Sequence, residues 1–398
     1  MIKQQKVLIV GAGFGGVKAA LKLAEHKAFD VTLLSDDSNF RYYPTLYRTA
    51  TGGTRANSSI PLSSLFDKLP VSLVKDRAIS LDRKAKLIKG DSGKDYPYDT
   101  LILSLGVVTN YFGIEGLDEY AYGIKSQDEV AKFKKHLHEQ IKSQRKPDLN
   151  YVIVGAGPTG IELAGSLGSY IKHIMKSHNA EKRAVHIDLI EAQPKLLPNM
   201  PKPISAKVAL RLHKLGVRMY LNSKVEAETV DELRVSGRPI RSHTVIWTAG
   251  VTNHPFFKEN NFSIMGRGKV GVDAYLQSEP NVFVLGDNAN TPFSGMAQTA
   301  IHDGDFVANN LIRRADNKDF KSYEVKKPIS VIPAGGHWAV VLWGKLRFSG
   351  YSGYLIREAA DLLGFHDIEP WPKAFRQFLS EFSYEDDCPI CAKTLLSS

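Results

Sequence analysis

Two short glycine runs carry the densest chemistry in this chain, GAGFGG at 11–16 and GAGPTG at 155–160. Gly11, Gly13 and Gly16 fit the spacing G-x-G-x-x-G, and so do Gly155, Gly157 and Gly160. In such a loop the first glycine permits a tight turn, the second lets a diphosphate approach the backbone, and the third lets helix and strand pack closely. The helix that follows offers free amides and the positive end of its dipole to the phosphates. The spacing alone is common. Here each copy follows an apolar run and opens a helical one, and two copies are far more specific than one.

Carboxylates at the ends of the second strands refine this reading. In the second unit the strand ends at Glu191, where a carboxylate accepts both ribose hydroxyls of NADH. It would repel the extra phosphate of NADPH, and no arginine follows at once, so NADH is favoured. The other reading is an ordinary acid at a strand end. In the first unit the strand ends at Ser35, followed by Asp36 and Asp37. A serine holds a ribose more weakly, and Asp36 is placed to take over.

The elements that must position these groups read as strand, turn, helix, strand. Residues 6–10 form an apolar run of the kind found in buried parallel strands, 17–25 repeat alanine and leucine at helical spacing, and 31–34 give the next strand. The same order recurs as 151–154, 161–174 and 186–190. Apolar strands at 101–105 and 245–247 end in the small-residue turns SLG and TAG, which let backbone pass close to a cofactor. A further strand at 282–285 runs into Gly286 and Asp287, and 296–311 reads as a helix. The expected fold is α/β: two Rossmann-like dinucleotide-binding domains, the second inserted in the first, plus a C-terminal region of aromatic and basic residues. The expected boundaries are 1–115 with 254–325, then 116–253, then 326–398.

Composition bounds the alternatives. With 398 residues, 43% hydrophobic and 24% charged, the chain is long enough for two or three buried cores and ordinary enough to argue against disorder. No apolar run reaches the roughly 18 residues of a membrane span, and no signal-peptide pattern is present. A net charge of +10 suits an anionic membrane surface, and no nucleic-acid motif supports nucleic-acid binding. Only Cys388 and Cys391 occur. They exclude a disulfide-built secreted fold and fit a reducing cytoplasmic setting. One CxxC is half of a four-thiolate zinc site, so no metal is expected.

Together these motifs resemble the two-dinucleotide-binding-domain flavoprotein superfamily, and more narrowly the type II NADH:quinone oxidoreductases. The residues that carry the likeness are GAGFGG, YYPTLYRTATG at 42–52, TNYFGIEG at 109–116, GAGPTGIELAG at 155–165, WTAG at 247–250, LGD at 285–287 and GMAQTAIHDG at 295–304. The resemblance implies non-covalent FAD on the first unit and NADH on the second. It further implies hydride transfer from NADH to FAD, then two-electron reduction of a membrane quinone without proton pumping. Asp287 would hold the ribityl chain, Ala297 and Gln298 would lie beside the flavin ring, and Glu162 would face the nicotinamide. The implied cofactor contacts are Gly11, Gly13, Phe14, Gly15, Gly16, Ser35, Asp36, Ala78, Gly106, Gly286, Asp287, Ala297 and Gln298 for the flavin. For the nicotinamide cofactor they are Gly155, Gly157, Thr159, Gly160, Glu162, Glu191, Ala249 and Gly250. Catalytic candidates are Glu162, Gln298 and His302. Many members carry a second glutamine where His302 stands, and residues at i and i+4 share one helical face. His302 is therefore either a proton donor to the quinone or a structural substitution.

A membrane quinone requires a route to the bilayer. Trp338, Trp343, Phe348, Tyr351 and Tyr354 interleave with Lys345, Arg347 and Arg357, and Trp371, Phe375, Phe378 and Phe382 follow. Aromatics with basic flanks suit a membrane interface on the cytoplasmic face. The same residues would also serve for packing on the flavin unit or as a homodimer seam. Competing functions are a ferredoxin reductase, a sulfide:quinone oxidoreductase, and a non-catalytic NADH-responsive binding protein. The sulfide chemistry uses cysteines near the flavin, and none precedes Cys388.

Overall fold

The computed structural model describes residues 4–143, 150–180 and 184–383. Cys388 and Cys391 lie outside the described residues. The first parallel unit is built on a six-stranded sheet in the order Gln277–Glu279, Val282–Val284, Thr100–Leu103, Gln5–Val10, Phe29–Ser35, Val71–Lys75. All neighbours are parallel except the outermost pair, Gln277–Glu279 with Val282–Val284. The second sheet is four-stranded and parallel, in the order Val217–Tyr220, His186–Ile190, Asn150–Val154, Thr244–Trp247. The α/β class read from the sequence is the class observed.

Strand alternation explains how both faces of each sheet are covered. In Gln5–Val10, Val7 and Ile9 join the core beneath helices Phe14–Ala24 and Ala297–Ala315. Leu8 and Val10 point the other way, into a core shared with the antiparallel meander Ala78–Asp82, Leu87–Gly90, Asp95–Pro97. The second unit repeats this arrangement. Tyr151 and Ile153 face the core containing helix Pro158–Ser177. Val152 and Val154 face the meander Val225–Glu228, Glu232–Val235, Arg238–Arg241. A strand buried on both faces must be apolar throughout, which is why these runs do not alternate with polar residues.

The chain passes from one unit to the other and back along two short strands, Val107–Thr109 and Val251–Asn253, which pair antiparallel. Beyond residue 329 a hairpin sheet, Ser330–Pro333, Ala339–Trp343, Leu346–Gly350, leads into helices Tyr351–His366 and Trp371–Ser380. This region is integrated into the body of the protein. A Cβ on Gly165 of the second unit would meet the Ala334 carbonyl carbon at 2.5 Å, and Tyr42 stacks on Phe365 at 4.1 Å between ring centroids.

That packing divides the C-terminal aromatic and basic set. Arg357, counted from sequence among the flanks of a membrane face, is 5% exposed and is instead a buried ion-pairing residue. Asp361, four residues on, is a partner within the same helix, but Glu162 and Pro44, which enclose the guanidinium, come from other elements. Phe378 packs on the first core, whereas Trp343, Tyr351, Trp371, Phe375 and Phe382 stay exposed.

Helices Phe14–Ala24 and Ala297–Ala315 cross with almost no space between their backbones. A Cβ on Gly304 would lie 2.3 Å from the carbonyl oxygen of Gly15. Gly304→Val should therefore lower stability by about 1–3 kcal/mol through overpacking, seen as a fall in Tm by thermal melting. Gly266→Ala, where an added Cβ meets nothing within 4 Å, should stay within about 0.5 kcal/mol of the parent. Equal melting of the two variants would contradict this reading of the crossing.

Candidate functional site: two glycine loops and their surroundings

Both glycine loops leave a parallel strand and open a helix, and each glycine meets different surroundings. A Cβ on Gly11, at φ +101°, would be 2.2 Å from the Ser104 carbonyl oxygen, and one on Gly16 would be 2.0 Å from that of Gly11. Gly155, at φ +103°, and Gly160 repeat this, with clashes at 2.6 Å on Ala249 Cα and 1.9 Å on the Gly155 oxygen. The middle glycines differ. Gly13 has one neighbour, at 3.8 Å, and Gly157 has none within 4 Å. Packing thus requires the outer glycines, and the middle ones leave open space where a diphosphate can approach backbone amides.

Around the first loop is a cleft of about 220 Å³ lined by Gly11, Gly13, Ser35, Asp36, Ala78, Gly106, Arg41 and His254, among others. Ser35 is buried, and its hydroxyl oxygen accepts from the Asp37 amide at 3.2 Å, whereas Asp36 is exposed at the cleft. Two residues of this loop serve packing through their side-chain positions. The Phe14 ring is buried edge-on against Phe40 at 5.0 Å, and Gly15 lies under Ala300, whose carbonyl oxygen would be 3.1 Å from a Cβ there.

The turn Gly286–Asn288 is fixed from three sides. Gly286 N donates to Asp303 at 2.9 Å, and Asp303 also accepts from the Tyr323 hydroxyl at 2.6 Å. Burial lifts the Asp303 carboxyl to about 6, against the pull of those two donors. Asn288, fully buried, accepts from Gly106 N at 2.9 Å and donates to Gly106 O and Asn253 Oδ1, each at 2.6 Å. Asp287 is held above the usual carboxylate range by burial, with Lys269 and Lys125 pulling the other way. Arg41, Lys125, Lys269, Asn288 and Asp303 were not found from the sequence. The polar run after LGD was the only available signal for Asn288.

At helix Ala297–Ala315, Gln298 and His302 do share one face, and that face grips the chain's own extended segment. The Gln298 amide donates to Ile329 O at 3.1 Å and accepts from Ile329 N at 3.0 Å. His302 Nε2 pairs with the Glu324 carbonyl oxygen at 2.8 Å, so it carries the proton there. Ala297 is partly buried against the first core.

In the second unit Glu191 accepts from Ala156 N at 2.8 Å and from Gln193 N at 2.9 Å, bracing the glycine loop with both oxygens. Thr159 and Ala249 are exposed beside that loop. Glu162, on the first turns of helix Pro158–Ser177, is buried 3.7 Å from Arg357. Arg357 also binds Asp361 at 2.6 Å and the Pro44 carbonyl at 2.6 Å. Arg48 reaches Glu358 at 3.0 Å, Asp361 at 3.6 Å, and Glu381. Burial raises the Glu162 carboxyl to about 8, outweighing the attraction of Arg357.

The pH consequence has a definite sign. A carboxyl near 8 in the folded chain and near 4.3 unfolded binds its proton more tightly when folded, so stability falls as pH rises from about 5 to about 8. Glu162→Gln should flatten the decline of Tm across that window. Glu228 and Glu381, also raised to about 8 by burial, keep part of it. A parallel Tm profile in the variant would contradict the assignment.

Comparison with known proteins agrees with this geometry. The type II NADH:quinone oxidoreductase Ndh of Mycobacterium tuberculosis is 28% identical, over 91% of this chain and 85% of its own. The type II NADH:quinone oxidoreductase of Staphylococcus saprophyticus is 27% identical, over 86% and 90%. The solved structure of NDH2 from Plasmodium falciparum in complex with NADH superposes with a TM-score of 0.85 at 18% identity, covering 95% of this chain and 97% of that one. Residues 5–304, which hold both glycine loops, the crossing strands and the Gly286–Asn288 turn, match the model of one family. By that match the chain belongs to the pyridine nucleotide-disulphide oxidoreductase family.

Proposed function

We propose that this oxidoreductase is an FAD-dependent NADH:quinone oxidoreductase that works at a membrane surface without pumping protons. The observation that carries the reading is the pair of open glycine cradles, Gly13 and Gly157, on two units joined by paired crossing strands. The names of the relatives in Mycobacterium and Staphylococcus support the same activity.

FAD, when bound, supplies a carrier that takes two electrons from a nicotinamide and passes them to an acceptor. The first loop, with Asp36 at the cleft and Asp287 in the turn Gly286–Asn288, would hold it. The second loop and Glu191 would hold NADH, with Glu191 accepting the ribose hydroxyls while it braces Ala156. Quinone reduction consumes two protons with its two electrons. Glu162, held protonated at neutral pH by burial, is the candidate donor at a carboxyl oxygen. Gln298 and His302 would act by fixing the segment through Glu324 and Ile329 beside the acceptor site, since their polar atoms already bond that backbone.

No helix among the described residues is long and apolar enough to cross a membrane. Peripheral contact is supported by helix Trp371–Ser380, where Trp371, Phe375 and Leu379 recur every fourth residue and are each about half exposed. Its opposite face buries Ala374 and packs Phe378 on the core. Leu355 and Leu363 of the preceding helix widen the apolar surface. Such a face suits a bilayer interface.

Stopped-flow mixing with NADH should bleach the bound flavin, and a soluble quinone should restore its colour within the turnover time. Failure of quinone to reoxidise the flavin would remove this function. Gln298→Ala should slow the quinone half-reaction more than reduction by NADH, and equal loss in both would remove its role. Replacing Trp371 and Phe375 by serine should reduce co-sedimentation with anionic vesicles while leaving turnover with soluble quinone intact. Undiminished sedimentation would place membrane contact elsewhere.

A further inference from the structure

The loop at 110–113, which follows the crossing strand Val107–Thr109, places the aromatic ring of Phe112 beside the second glycine unit. In the second sheet, His186–Ile190 and Val217–Tyr220 lie on one side of Asn150–Val154 and Thr244–Trp247 lies on the other. The strand order therefore reverses between the ends of Asn150–Val154 and Thr244–Trp247, where a dinucleotide lies across the sheet. Glu191 ends the strand on the first side and marks the adenosine end. The diphosphate belongs at Gly157, so the nicotinamide riboside half must run the other way, along the turn Thr248-Ala249-Gly250.

Phe112 roofs that turn. A Cβ on Gly250 would be 2.5 Å from its ring, so the aromatic edge rests directly on the glycine. The loop is pinned there by Asn110 N to Gly250 O at 3.1 Å, Trp247 Nε1 to Asn110 O at 2.9 Å, and Phe112 N to Asn110 Oδ1 at 2.8 Å. Phe112 is nevertheless 62% exposed and stands at φ +54°, a region that bulky side chains avoid. Its edge also meets Trp247, 6.3 Å between ring centroids, but that contact and Gly250 together still leave most of the Phe112 ring in solvent. A strained backbone that holds an apolar ring in solvent at the edge of a binding crevice points to a ligand that covers the ring.

We propose that Phe112 forms the apolar wall against which the nicotinamide riboside half of NADH packs, with Gly250 kept small so that the ring can lie at that depth. This rests on the NADH reading above. The test is calorimetric titration of the FAD-loaded protein with NAD⁺ and with ADP-ribose, which lacks the nicotinamide. Phe112→Ala and Phe112→Gly should weaken NAD⁺ roughly fivefold to tenfold and leave ADP-ribose unchanged, with Phe112→Leu between. Phe112→Gly relieves the φ +54° backbone, and its unchanged affinity for ADP-ribose shows that the crevice is still folded when NAD⁺ is weakened. Equal weakening of both ligands, or no change in either, would overturn the role of Phe112 while the NADH reading stands. Failure of the unaltered protein to bind NAD⁺ or NADH would overturn both.

Discussion

The fully buried amide of Asn288 holds together what the rest of the molecule presupposes. Its oxygen and nitrogen take up the backbone of Gly106, where the chain leaves the first sheet, and its nitrogen also reaches Asn253, where the chain returns. Asn288 itself ends the turn that carries Asp287. One side chain thus ties the floor of the first crevice to both crossing strands. A satisfied buried amide in a low-dielectric interior fixes geometry more sharply than an apolar contact of equal size, because each lost partner exposes an unpaired polar group. The junction of the two units is therefore defined by directed hydrogen bonds.

A second ordering principle operates where the C-terminal helices meet both units. Arg48, partly buried, and Arg357, buried, lie among Glu162, Glu358, Asp361 and Glu381, so carboxylates outnumber guanidinium groups in that cluster. Charge balance in a poorly solvated site is then reached by keeping protons, and burial lifts both Glu162 and Glu381 to about 8. The C-terminal segment consequently supplies the environment of Glu162 as well as an outer apolar face.

Close backbone approach is the third recurring device. Glycine permits it at Gly11 and Gly16, at Gly155 and Gly160, and where Gly304 meets Gly15 and Gly165 meets Ala334. Each contact lets a helix lie within a carbonyl's reach of another chain segment. The open positions at Gly13 and Gly157 stand out against their crowded neighbours.

The sequence by itself determined the α/β class, the strand-turn-helix order of both glycine units, and the shared face of Gln298 and His302. These follow from local rules: apolar runs too continuous for a half-exposed strand, glycine spacing required by a turn, and a helical period near four. Tertiary structure alone decided what those groups touch. Gln298 and His302 grip the backbone at Ile329 and Glu324, Phe14 turns into the core, and Arg357 is buried instead of flanking a membrane face. Arg41 lines the first cleft, and Lys125 and Lys269 bring positive charge to Asp287 from widely separated positions. The glycine loops were legible because a turn is specified by neighbours in sequence. Partners brought together by folding leave no periodic or spacing signal, and so only the assembled chain reveals them.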